Sequence, residues 1–224
     1  MAEDSSRSRP RGQTLTTPFP ADDGVAAILA DCPAFDVVPG EPYFEASFPG
    51  TTLLAVEEGF VVVRSTPPGL ARSIVTCDVG PGGILLPPAP EEALFGLVRS
   101  RLIAITGEAR DRLIEVRGGA DALLDQLATT LAQKQGALGN FAHTRHLERV
   151  RRKLLQLAQN YGHVVRDGIR IDFPLSHALL AEMVGSSRET VTRSLDELQQ
   201  TGFVARRGHT YRLLVSPERV LGPM

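Results

Sequence analysis

The stretch that most restricts the fold is "LSHALLAEMVGSSRETVTRSLDEL", residues 175–198. Ser176 is a fit N-cap, its hydroxyl able to accept from a backbone N–H of the first turn that follows. Gly185 stands where a short turn needs positive φ. A second helix then runs through Leu195 and Leu198 to a stop at Gly202. Ala181 falls where two helices cross closely, and Val191 and Leu195 point inward to hold them together. The segment "FVARRGHTYRLLV" follows as two strands around a tight Arg-Gly-His turn. Helix, Gly-containing turn, helix and β-hairpin is the order of a winged helix-turn-helix.

Those inward positions leave Ser187, Arg188, Glu189, Thr192 and Arg193 facing out. Arg can give two hydrogen bonds to guanine and Glu can accept one from cytosine, so such a set can read bases in a major groove. Hydroxyls and helix N-terminal amides suit phosphates. Glu189 and Arg193, four residues apart, can steady each other. A bland alternative makes Glu189 the partner of Ser186 in a capping box and Arg193 part of a solvated helix face.

Taken whole, "LSHALLAEMVGSSRETVTRSLDELQQTGFVARRGHTYRLL" resembles the DNA-binding domain of the CRP/FNR family of bacterial transcription regulators, over residues 142–215. The resemblance implies that Arg188, Glu189 and Arg193 read bases in a TGTGA-like half-site. It places Ser187, Thr190 and Thr192 near phosphates, with His177 at the start of the preceding helix. Arg206, Arg207 and His209 on the wing would approach the DNA backbone, although a plain solvated hairpin explains them equally well. It further implies a β-roll sensor, a long dimerisation helix, a hinge, and a two-fold dimer on a pseudo-palindromic double-stranded operator. An activator of this kind would also touch RNA polymerase.

Charge distribution agrees with a division of labour. Residues 142–224 hold thirteen Lys or Arg against eight Asp or Glu, whereas residues 1–141 hold eleven against eighteen. Residues 1–19, rich in Arg, Ser, Thr and Pro, read as a disordered leader. Residues 20–118 open with the helix-like "PADDGVAAILADCPAF". Short apolar runs punctuated by Pro and Gly follow: "FDVV", "YFEASF", "TTLLAVEEGFVVVRS", "RSIVTCDV", "GGILL" and "FGLVRSRLIAI". Strands of this length and punctuation predict an antiparallel roll, and hence an α+β chain. Within residues 119–141, Leu124, Leu127, Leu131, Lys134, Leu138 and Phe141 alternate by threes and fours, the seam of a helix that can pair with a copy of itself. Lys134 is a misfit in that seam. Residues 142–224 complete the DNA-binding part, beginning with a helix that buries Leu147, Val150, Leu154 and Leu157 and ends at Gly162.

The sensor is harder to read. Cyclic-nucleotide members of the family carry Gly-Glu and a later Arg-Ser or Arg-Thr, but here Gly82-Gly83 leads into apolar residues and prolines. Arg99-Ser100 arrives too late, so cyclic AMP binding in the usual way is not expected. All five histidines lie at or after His143, and only Cys32 and Cys77 are present. Neither a haem imidazole in the roll nor an iron–sulfur cluster is therefore expected, and Cys77 reads as a small core residue. Glu91 and Glu92 read as solvated loop residues. No cofactor is evident and the effector is unknown: an apolar or unusual nucleotide-like ligand over residues 84–97, a protein partner, or none. No membrane span or secretory signal is expected, which points to the cytoplasm. An enzyme on the roll would want clustered His and carboxylates, and an interaction module would have no use for the Arg188–Glu189–Arg193 set.

Overall fold

The computed structural model describes residues 23–66, 72–142 and 145–216. Helix α1 (Asp23–Ala30) opens the chain, followed by strands β1 (Ala34–Val37), β2 (Thr51–Glu58), β3 (Val61–Ser65), β4 (Ile74–Val79), β5 (Ile84–Leu85), β6 (Glu92–Gly96) and β7 (Ser100–Thr106). Helices α2 (Gly107–Glu115), α3 (Gly119–Ala142) and α4 (His146–Tyr161) come next. The chain closes with β8 (His163–Val165), β9 (Gly168–Ile171), α5 (His177–Val184), α6 (Arg188–Gln200), β10 (Val204–Arg207) and β11 (Thr210–Leu213). The architecture is α+β, as the sequence predicts.

All strand pairs within the sheets are antiparallel. One sheet has the order β1-β7-β2-β5, a second β4-β3-β6, and a third β10-β11-β9-β8. The first two pack face to face around Val37, Leu54, Val56, Val61, Val63, Cys77, Leu94 and Leu102. On the other side of the first sheet, Leu53, Ala55, Ile103 and Ile105 meet Val25, Ile28 and Leu29 of α1, Leu113 of α2 and Leu123 of α3. Both faces of this sheet are therefore covered. That is why "LLAV" is continuously apolar instead of alternating with polar residues.

The second sheet is covered on its outer side as well. Phe60, Val62 and Val75 join one cluster with Leu154 and Leu157 of α4, Leu180 and Val184 of α5, and Leu195 of α6. Two halves of opposite net charge thus share a core, and the aromatic rings mark the junction. Phe60 stacks on Phe173 with centroids 3.9 Å apart, and Tyr161 meets Phe60 edge-on at 4.7 Å. A Cβ on Gly80 would lie 2.8 Å from the Tyr161 ring, so the roll approaches α4 more closely there than any side chain allows.

Some sequence expectations need correction. "YFEASF" forms a bridge at Tyr43 and a short 3-10 turn over Glu45–Ser47, not a strand. "FGLVRSRLIAI" is two strands separated by a bend at residues 97–99. Strand β8, the short and largely exposed His163-Val164-Val165, is not among the expected strands and forms by pairing with β9. Residues 1–19 lie outside the described residues. Among the described residues no helix is long and apolar enough to cross a membrane.

Candidate nucleic-acid interface

Two caps and one left-handed glycine set the geometry of the helix pair. The Ser176 hydroxyl accepts from Leu179 N–H, starting α5, and Gly185 at φ 60° ends it while donating to Ala181 C=O. Ser186 N–H also donates to that carbonyl, at 2.9 Å, satisfying the helix end. Ser187 then caps α6 by accepting from Thr190 N–H. The serine that caps is Ser187, and not the Ser186 of the alternative capping box. Ser186 is instead buried, its hydroxyl 2.9 Å from Nδ1 of His146 at the start of α4.

Val191, Ser194, Leu195 and Leu198 form the buried face of α6. Arg188, Glu189 and Arg193 are exposed on the other side. Glu189 is held below the usual carboxylate range, first by its own backbone N–H and then by the Ser187 hydroxyl, with the Arg188 and Arg193 charges acting the same way. An exposed, ionised acceptor between two fixed cations is a surface that can discriminate base edges. Thr190 and Thr192 are half-buried, and their hydroxyls are used locally: Thr190 Oγ1 lies 3.0 Å from Ser187 Oγ, and Thr192 donates to Arg188 C=O.

The wing sits beside this helix. Arg206, Arg207 and His209 are exposed around the β10–β11 turn. Arg206 is nonetheless engaged: its Nε donates to Gly208 C=O at 2.6 Å and its Nη1 lies 2.7 Å from His177 Nε2. The other His177 nitrogen, Nδ1, is 2.7 Å from Thr192 Oγ1. The sequence assigns Arg206, His177 and Thr192 to one surface but does not disclose that they are bonded to one another. It also missed His146 and Arg149 of α4, the latter reaching Gly185 C=O, because their partners lie about 35–40 positions away in the chain.

On α3, Leu124 and Leu131 are 64% and 58% exposed and seven residues apart on one side of the helix. Leu127 packs partly against its own roll, and the side chains of Leu138 and Phe141 fall outside the described set. The face toward the roll is carried by Leu123 and Thr130, the latter donating to Ile84 C=O. Lys134, the misfit in the seam, reaches Glu92 at 3.4 Å. Glu92 is not the solvated loop residue expected. Its carboxylate is 14% exposed and also accepts from Thr76 Oγ1 and from Ala89 N–H.

Between β4 and α4 lies a buried ion pair. Asp78 of β4 and Lys153 of α4 are hydrogen-bonded with side chains 3% and 5% exposed. Asp78 C=O accepts from the Tyr161 hydroxyl, while Asp78 Oδ2 has no partner. Cys77 beside it is a core thiol, pushed up to about 12 by burial. Among the described residues no cluster of three or more His, Cys, Asp or Glu could hold a metal ion.

Comparison with known proteins agrees with this geometry. The family model of the Crp-like helix-turn-helix domain matches residues 148–219. The chain is 26% identical to the CRP-like cAMP-activated global transcriptional regulator of Mycobacterium tuberculosis, over 88% of this chain and 90% of that one. It is 37% identical to the global nitrogen regulator of Synechococcus elongatus, a match spanning 42% of each chain. Among solved structures, a CooA mutant from Carboxydothermus hydrogenoformans superposes with a TM-score of 0.71 at 15% identity, covering 87% of this chain and 88% of that one. FixK2 from Bradyrhizobium japonicum gives 0.68 at 19% identity, over 84% and 95%. These structural likenesses extend to both halves of the fold, including the cyclic-nucleotide-binding-like roll.

Proposed function

We propose that this chain, whose residues 148–219 match the Crp-like helix-turn-helix domain, is a transcription regulator of CRP/FNR type that works as a homodimer on a pseudo-palindromic, TGTGA-like operator. Arg188, Glu189 and Arg193 read bases. Ser187, Thr190, Thr192, Arg207 and His209 lie along the phosphates, and His177 and Arg206 complete that side. The observation that carries the proposal is the open Arg188–Glu189–Arg193 face, built on a capped helix whose other side is wholly buried. Exposed Leu124 and Leu131, one heptad apart, support pairing of two copies through α3. The working divisions are residues 20–118 for the roll, 119–141 for the dimer helix and 142–224 for DNA reading. A chromosomal operator places the protein in the cytoplasm, and an activator would also contact RNA polymerase.

The sensor does not take cyclic AMP in the usual way in this proposal. The Glu92 carboxylate and Lys134 ammonium already join roll to dimer helix, and a carboxylate there disfavours an incoming phosphate. That pair also favours a second reading, a regulator without small-molecule effector that acts through protein partners. Gel shift on a palindromic duplex and its scrambled counterpart tests the proposal. Wild type should prefer the palindrome without added ligand, and equal binding to both would overturn it.

A further inference from the structure

We propose that His177 is a positioning residue that clasps the wing to the recognition helix, and that only its neutral form, protonated on Nδ1, can do so. The proposal rests on the DNA-reading role of α6 and deepens it. Arginine can only donate hydrogen bonds, so the 2.7 Å approach of Arg206 Nη1 makes His177 Nε2 an acceptor. The ring proton is then on Nδ1, which donates to Thr192 Oγ1 at 2.7 Å. Thr192, its lone pair taken, donates in turn to Arg188 C=O at 2.9 Å. Each member of the series Arg206, His177, Thr192 donates to the next group along, with one polarity from wing to helix. Such chains reinforce one another. Arg206 is further fixed by donating to Gly208 C=O within the wing turn. The wing and the first turn of α6, separate in sequence, are thus held in one register before DNA arrives.

The surroundings favour the neutral ring. Burial lowers the His177 pKa first, followed by the positive charges of Arg206 on β10 and Arg188 on α6; His209 on the wing acts the same way and Asp196 of α6 opposes them. A folded value below the ordinary 6.5 means the clasp is complete above that pH. It is lost as pH falls through the folded value. An imidazolium can no longer accept from Arg206 and repels it. A His177 in direct contact with phosphate behaves in the opposite sense, since its protonation would tighten DNA binding.

The test compares full-length wild type with His177→Gln, which keeps an acceptor but does not titrate, and with His177→Ala. Operator affinity is measured from about pH 8 down through the His177 midpoint that NMR gives for the DNA-free protein. At the upper end His177→Ala should bind about two- to tenfold more weakly than wild type, and His177→Gln, which keeps the acceptor, should recover part of that loss. As pH falls through that midpoint, wild type should weaken relative to His177→Gln. A flat ratio, or wild type gaining on His177→Gln as pH falls, overturns the clasp while leaving DNA reading intact. Loss of sequence-selective binding by all three proteins at every pH overturns the DNA interface and the clasp's part in it together. Long-range nitrogen–proton NMR of the DNA-free protein supplies an independent reading. It should show the proton on Nδ1 and titration below the ordinary value. A proton on Nε2, or titration at or above that value, sinks the proposal.

Discussion

The exposed face of α6 and the junction between α4 and β4 use the same chemistry to different ends. Arg188, Glu189 and Arg193 stand in solvent, so their mutual attraction is screened and contributes little to folding. Their charges stay available to a ligand. Asp78 and Lys153 are buried with one carboxylate oxygen left unpartnered, so their attraction is strong and their desolvation is costly. Nothing outside the protein can reach them. Burial, more than residue type, separates a recognition surface from a joint between two parts of a chain.

The sharpest way to break this contrast is Lys153→Met. Left without its cation, buried Asp78 should cost about 3–5 kcal/mol of folding stability, read by denaturant unfolding. Adding Asp78→Leu on the same background should recover most of that loss, since a packed apolar pair often matches a buried ion pair. A small effect of the single change would mean water reaches the junction. Arg188→Ala, on the open face, should leave stability nearly unchanged. It should weaken operator binding by about 1–3 kcal/mol and relax preference at one base pair of each half-site. Unaltered selectivity would take Arg188 out of the base-reading set.

Smaller effects sharpen the same comparison. Ser187→Ala removes the α6 cap and should cost about 1 kcal/mol in stability, visible as a lowered Tm. The corresponding change at Ser186 removes a buried hydroxyl bonded to His146 and reports on packing, so the two serines can be told apart by their neighbours. Arg207→Ala on the wing should reduce the salt slope of binding by about 1, with equal loss on specific and random DNA. An unchanged slope would leave the wing arginine in solvent on the complex.

The two regions also differ in how far the sequence disclosed them. The helix pair is local: Ser176, Gly185 and Ser187 act within four residues of themselves, and the apolar spacing of α6 assigns its inner face directly. The junction is made of partners far apart in the chain, 75 positions for Asp78 and Lys153 and 118 for Arg64 and Glu182. No periodicity records such pairings. Lys134 shows the same limit: within its helix it interrupts an apolar seam, and only the fold brings Glu92 to it. The split of "FGLVRSRLIAI" into β6 and β7 was hidden because both strands are apolar and the bend contains neither Pro nor Gly within residues 97–99. The His177 clasp was half legible, since its members were assigned to one surface but not to one another.

The central claim is that the side chains leading α6 touch base edges and that a second subunit repeats the contact. Selection of bound duplexes from a random DNA pool by the purified full-length protein tests it most directly. The account predicts enrichment of a two-fold-symmetric site with half-sites one helical turn apart, and loss of one half-site base preference in Arg188→Ala. A pool that stays random, or that yields a single unsymmetrical site unaffected by Arg188→Ala, would contradict it.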